Sequence, residues 1–230
     1  MATVFGTECK RNFMKKPKLL IFASGTAEGG GSGFENLVLA SRSGILDAEI
    51  VGVVSNHANG GVREKANRLG IPFIFFQKTI IPEENEKQYQ KIVRESGAEW
   101  VTLSGWLKLV SGLDPQTTFN IHPGPLPEFG GKGMYGIHVH EAVLQAFKER
   151  GSSVHGAVTM HFVTPVYDEG PVFFRIAVPI LPSDTAESLQ KRVNEVEHEW
   201  QPKITDKVIH GEISWDGKNR DSLRDAVLLY

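Results

Sequence analysis

The sequence predicts an α/β fold, doubly wound around a mostly parallel twisted sheet, with an antiparallel hairpin at its C-terminal end. Three observations carry this. Leu19-Leu20-Ile21-Phe22-Ala23 is an unbroken apolar run, the pattern of a strand buried on both faces of a parallel sheet. Similar runs then alternate with stretches of helical length up to residue 104, which specifies right-handed crossovers between parallel strands. Further on, two strand-like segments flank Tyr167-Asp168-Glu169-Gly170-Pro171 and read as a hairpin. With no repeat, low-complexity tract or linker, residues 17–230 are expected to form one domain behind an N-terminal tail, residues 1–16.

After the first strand, residues 24–33 (SGTAEGGGSG) form a glycine-rich turn, and Phe34 to Ser41 reads as a helix with Gly44 near its stop. Residues 48–55 give the second strand, 62–69 a helix ended by Gly70, and 72–76 the third strand. Pro82 to Ser96 is a helix with proline in its first turn and Gly97 as its stop, and Trp100 to Ser104 is the fourth strand. Val139, Ala142, Val143, Ala146 and Phe147 follow the spacing of a core-facing helix. Residues 153–163 and 172–178 are the hairpin strands, and Asp184-Thr185-Ala186-Glu187 resembles a capping box opening a long helix that bends or breaks near Pro202. Glu212 to Trp215 is the candidate edge strand.

Sheets of this kind bind ligands beyond the carboxyl ends of their strands. The glycine-rich turn between the first strand and helix places free backbone N–H groups where they can hold a phosphate, although neither G-x-G-x-x-G nor G-x-x-x-x-G-K-[ST] is present. A second loop, Phe119 to Tyr135, packs three prolines, four glycines, Asn120 and His122 into a segment that cannot be regular helix. Asn120 and His122 are two apart on an extended stretch, so they share a face, with Ile121 on the other. A carboxamide beside an imidazole suits a reaction that builds an oxyanion, because both can donate to it and the imidazole can pass a proton. Asp168 is the candidate carboxylate to orient that imidazole and raise its pKa, if the fold brings it near; on local features alone it only begins a turn. Glu197 and His198 read as a solvated helix face.

Composition narrows the partners. With 40% apolar and 23% charged residues and a formal charge of -2, the chain is ordinary for a globular protein and lacks the basic excess of a nucleic-acid binder. Cys9 is the single cysteine, which excludes intrachain disulfides and cysteine metal sites. The histidines at 138, 140, 155 and 161 match no metal-ligand spacing, so no metal is expected. No apolar run approaches the roughly 18 residues of a membrane helix, and residues 1–16 lack a signal-peptide core, so the expected location is the cytoplasm and the expected ligand is small. The sequence sets no oligomeric state.

Asn120-Ile121-His122-Pro123, the proline-containing loop after it, His161-Phe162-Val163-Thr164, Asp168 and Gly170-Pro171 together resemble the folate-dependent formyltransferases, over about residues 17 to 215. The resemblance implies formyl transfer from 10-formyltetrahydrofolate, as co-substrate, to the glycinamide amine of a phosphoribosyl substrate in purine synthesis; another amine, such as that of an amino sugar nucleotide, is the alternative acceptor. It further implies that His122 acts as acid toward the oxyanion, that Asn120 donates a hydrogen bond to it, and that Asp168 raises the pKa of His122. By the same likeness the substrate phosphate falls on Gly31, Ser32 and Gly33, the ribose hydroxyls near Glu197, and the folate along Leu107, Lys108, Leu109 and Val110 beside Asn120. The chain departs from the family's usual pattern at an inserted Ala27-Glu28-Gly29-Gly30, at Gly33 in place of an asparagine, at Gly124-Pro125 after His-Pro, and at Lys108 where arginine is common.

Overall fold

The computed structural model describes residues 15–27 and 29–229, which leaves Cys9, most of the proposed tail and Glu28 outside the described residues. Eight strands form one sheet in the order β3-β2-β1-β4-β5-β6-β7-β8. In chain order the elements are β1 (Lys18–Phe22), α1 (Ser32–Ser43), β2 (Glu49–Ser55), α2 (Gly61–Leu69), β3 (Phe73–Phe75), α3 (Pro82–Ser96) and β4 (Trp100–Ser104). They continue with β5 (Thr118–His122), α4 (Ile137–Arg150), β6 (Gly156–Phe162), β7 (Val172–Val178), α5 (Ala186–Ile209) and β8 (Val227–Leu229).

The first five strands are mutually parallel. β6 is antiparallel to both β5 and β7, and β8 is parallel to β7, so β6 is the one strand of the sheet that runs against the rest. Strand order reverses between β1 and β4, and the crevice beyond their carboxyl ends is where such sheets bind ligands.

Burial explains the apolar run at the start. Leu19 and Ile21 point into a core shared with α1, α2, α4 and α5, whereas Leu20 and Phe22 point into a second core under α3. There Tyr89 stacks on Phe76 at 4.4 Å between centroids, and Phe22 meets the Trp106 edge at 5.3 Å. Because each residue from Leu19 to Phe22 is buried on one layer or the other, alternation with polar residues is absent there. Gly44, Gly70 and Gly97 end α1, α2 and α3 in the left-handed region, the conformation that made them legible as stops.

Four expectations need correction. α1 starts at Ser32, two residues early, because Gly31 rather than a side chain caps it. The capping box of α5 is formed by Thr185 and Ser188: Ser188 N donates to Thr185 Oγ1 at 3.3 Å and Thr185 N to Ser188 Oγ at 3.0 Å. Asp184 and Glu187 do not form it, and Asp184 instead holds Arg192 in a two-pronged pair at 2.7 and 2.8 Å. The edge strand is Val227–Leu229, while the segment 212–215 contributes one isolated bridge, from Ser214 to Arg224. Finally, α5 does not break at Pro202. The proline cannot donate to the His198 carbonyl one turn back, and the Asn36 amide does so from α1 at 2.7 Å, which removes the main cost of an interior proline.

Candidate active site

Three strand ends and one helix face build the site. The turn after β1, the end of β4 and the end of β5 open into a cleft of about 880 Å³, and the first turn of α4 and a polar stripe of α5 close it. Gly31, Ser32, Gly33, Leu107, Asn120, His122, Asp168 and Glu197 all line it. A smaller pocket of about 40 Å³ adjoins it, lined by Lys108, Leu109 and Val110 together with Asn120, His161 and Asp168. The predicted substrate and folate residues therefore lie on two recesses that meet at Asn120 and Asp168.

Asn120 and His122 do share a face of β5, and the β7-side turn carries Asp168 to them. Asp168 Oδ2 lies 3.8 Å from His122 Nδ1, and its Oδ1 lies 3.5 Å from the Asn120 amide nitrogen. Asp168 adopts φ 55, a left-handed conformation that aspartate tolerates better than most residues. The glycine two residues on is required as well: a Cβ at Gly170 would overlap the Phe162 carbonyl.

Hydrogen bonds fix which ring nitrogen is available. His122 Nε2–H donates to the Phe129 carbonyl at 2.7 Å, since a carbonyl can only accept, and this leaves Nδ1 facing Asp168. His161 Nδ1–H donates to the Phe162 carbonyl at 2.8 Å, so its Nε2 accepts from the Asn120 amide at 3.0 Å. The glycine-rich half of the loop is tied in too, the Gly131 N–H donating to Asp168 Oδ2 at 2.9 Å.

At His122, burial and Asp168 act in opposite directions. Burial lowers the pKa of His122 below the usual histidine value, and the raising pull of Asp168 only partly offsets it. His122 is thus held neutral. Burial works to raise the pKa of Asp168, but the His161 and His122 imidazoles and the Gly131 N–H outweigh it and keep the carboxylate ionised. Glu197, its carboxylate accepting from Asn194 at 3.2 Å, is pushed up to about 7 by burial.

Several site residues were missed. His161 is directly opposite Asn120 in the β5–β6 register, a pairing that one sequence does not display. His140 is 2% exposed, lines the cleft, and is pushed down to about 4 by burial and by repulsion from His122. It reaches the cleft because α4 packs closely: a Cβ at Gly124 would lie 2.5 Å from Val139 Cγ1 and 3.3 Å from His122 Nε2. His138, on another face, is exposed beside Glu141 at 3.1 Å. Among the described residues no cluster of three or more His, Cys, Asp or Glu is placed to hold a metal ion. On α5, Gln190, Lys191, Asn194, Glu197, His198 and Gln201 recur every three or four residues and face the cleft, so His198, read as solvated, joins Glu197 on a wall of the site.

The family described as formyl transferase matches residues 17–205. The chain is 35% identical over 208 residues to a phosphoribosylglycinamide formyltransferase, chloroplastic, of Arabidopsis thaliana, covering 87% of this chain and 68% of the relative. It is 30% identical over 195 residues to the phosphoribosylglycinamide formyltransferase of Bacillus subtilis, covering 81% and 92%. It spans about two thirds of the length of the plant relatives. Its fold matches the crystal structure of glycinamide ribonucleotide transformylase 1 from Symbiobacterium toebii with a TM-score of 0.77 and 25% identity, over 91% of this chain and 93% of that one.

Proposed function

The chain belongs to the formyl transferase family, and on that premise we propose that it moves a formyl group from 10-formyltetrahydrofolate to the glycinamide amine of a phosphoribosyl substrate. The observation that carries this reading is the meeting of Asn120, His122 and Asp168 where the two recesses join.

In this account the folate supplies the formyl carbon, and this chain's residues orient the partners and manage protons. Leu107, 39% exposed on the larger cleft, and Leu109, 40% exposed on the smaller pocket, offer an apolar surface suited to a flat heterocycle. Asn120 presents its amide where the formyl oxygen gains negative charge. As the amine bonds to carbon it must lose one proton, and the departing folate nitrogen must gain one. His122 Nδ1 is the ring nitrogen without a protein donor bond, and it can hold that proton in between. Asp168, 3.8 Å away, stabilises the imidazolium while it lasts, and a neutral resting state leaves Nδ1 free to receive the proton. The N-terminus of α1 offers amides of Ser32 and Gly33 to the phosphate, and Glu197 offers its carboxylate to the ribose hydroxyls.

The continuous sheet from Lys18 to Leu229 supports treating residues 17–230 as one domain. No helix among the described residues is long and apolar enough to cross a membrane; a cytoplasmic location is kept as part of the reading, while the Arabidopsis relative is named as chloroplastic. The test is an absorbance assay of folate turnover with phosphoribosyl glycinamide against amino sugar nucleotides. The reading expects transfer to the former alone, and transfer only to an amino sugar would replace it.

A further inference from the structure

Three strands each place one side chain in a single row across the sheet. His122 is opposite Thr159 in the β5–β6 register, and Thr159 is opposite Arg175 in the β6–β7 register. Residues paired in this way point to the same face, so the three side chains stand side by side against the loop that leaves β5.

Each of them holds that loop by a backbone carbonyl. Thr159 Oγ1 donates to the Gly124 carbonyl at 2.7 Å, Arg175 Nη2 donates to that of Leu126, and His122 Nε2–H donates to that of Phe129 at 2.7 Å. The loop needs side-chain donors, because the prolines at 123, 125 and 127 carry no backbone N–H and leave its carbonyls in excess. It also lies close on the catalytic pair. A Cβ at Gly124 would come within 3.3 Å of His122 Nε2, and one at Gly130 would lie 2.4 Å from Leu126 Cδ2 and 3.0 Å from Asp168 Cβ. The Phe129 N–H donates back to the Pro125 carbonyl at 3.1 Å, so the place of Phe129 follows from where Gly124 and Leu126 are held.

The Phe129 carbonyl decides which nitrogen of His122 carries the proton. A neutral imidazole has one N–H, and while Nε2–H is bonded to that carbonyl, Nδ1 keeps its lone pair. If the carbonyl moved away, the acceptor left beside the ring would be Asp168 Oδ2, 3.8 Å from Nδ1, and the proton would favour Nδ1. In that tautomer Nδ1 has nothing with which to receive a proton.

We propose that Thr159 and Arg175 are positioning residues for formyl transfer, which hold the loop at 124–129 so that the Phe129 carbonyl keeps His122 in the Nε2–H tautomer. This rests on the reading that Nδ1 carries the transferred proton.

The test reads the NMR shifts of the His122 ring nitrogens at pH 8, beside steady-state kinetics, in wild type, Thr159→Val, Thr159→Ser and Arg175→Met. Wild type should show a protonated Nε2 and a bare Nδ1. Thr159→Val keeps the shape and loses the donor; it should shift the ring toward Nδ1–H and lower kcat about fivefold, with both KM values changed by less than about twofold. Thr159→Ser keeps the hydroxyl and should restore the wild-type ring pattern. Arg175→Met should act in the direction of Thr159→Val, and it decides the matter if Thr159→Val does not fold. Folded variants with a lower Tm but with the wild-type tautomer and kcat would reduce both residues to structural supports and overturn the proposal, as would a wild type already in the Nδ1–H form. Wild type that transfers no formyl group would sink the functional reading alone, since the NMR comparison needs no substrate.

Discussion

Asp168 Oδ2 stands 3.8 Å from Nδ1 of His122, on a residue held at φ 55 and anchored by the Gly131 amide at 2.9 Å. The contact joins the hairpin turn to the end of β5, and it sets the charge that the imidazole feels. Replacing Asp168 by asparagine keeps the tolerance for that backbone conformation and removes the charge. We expect kcat to fall by on the order of a hundredfold. The His122 midpoint, followed by NMR titration, should move further down, since the group that raises it is gone. A midpoint that rose would show that Asp168 does not act on His122 as described.

His140 gives the fold an acid sensitivity whose sign follows from burial. Its folded pKa is about 4 against an ordinary 6.5, so below 6.5 the unfolded chain binds a proton that the folded one resists. The stability it contributes is whole above about pH 6.5 and is lost as pH falls toward 4. Denaturant unfolding of wild type and His140→Gln at pH 7 and pH 5 should differ by about 2 kcal/mol in the size of the drop, the variant losing less. Equal drops would mean that His140 is not held neutral.

Glu197 titrates in the opposite sense. With its pKa raised to about 7, the carboxylate is protonated on the acid side and ionised above it. If it accepts from ribose hydroxyls, the acceptor KM should fall as pH rises from 6 to 8. Glu197→Gln should flatten that change and raise the KM at pH 8 by about tenfold. A variant that retains the full pH dependence would assign it to the substrate's own groups.

The Asn36 bond to the His198 carbonyl is testable by a double-mutant cycle. Asn36→Ala should destabilise the protein by about 1–2 kcal/mol, because it leaves a part-buried carbonyl without a donor. With Pro202→Ala, which restores a backbone donor in the helix, the cost of losing Asn36 should shrink. Additive effects on Tm would show that the two residues do not serve the same carbonyl.

Much of this was readable in the residues. Proline and glycine bounded α3 at both ends, the apolar run placed β1, and the two-residue spacing put Asn120 and His122 on one face, because each signal is local. What escaped depended on distant partners. The register setting His161 opposite Asn120 is a property of two strands, and the close approach of Ser104 that requires glycine at position 33 is visible only once β4 meets the first turn of α1. The polar stripe of α5 has the same pattern whether it meets solvent or a cleft. Burial also reversed the net direction of the His122 shift, which a nearby carboxylate alone would have raised.

The most direct measurement is steady-state formyl transfer by His122→Asn with phosphoribosyl glycinamide and 10-formyltetrahydrofolate. His122 Nδ1 is the ring nitrogen that faces Asp168, and losing it should lower kcat by on the order of a hundredfold or more while leaving both KM values nearly unchanged. Turnover at the wild-type rate from the folded variant would contradict the assignment of proton transfer to His122.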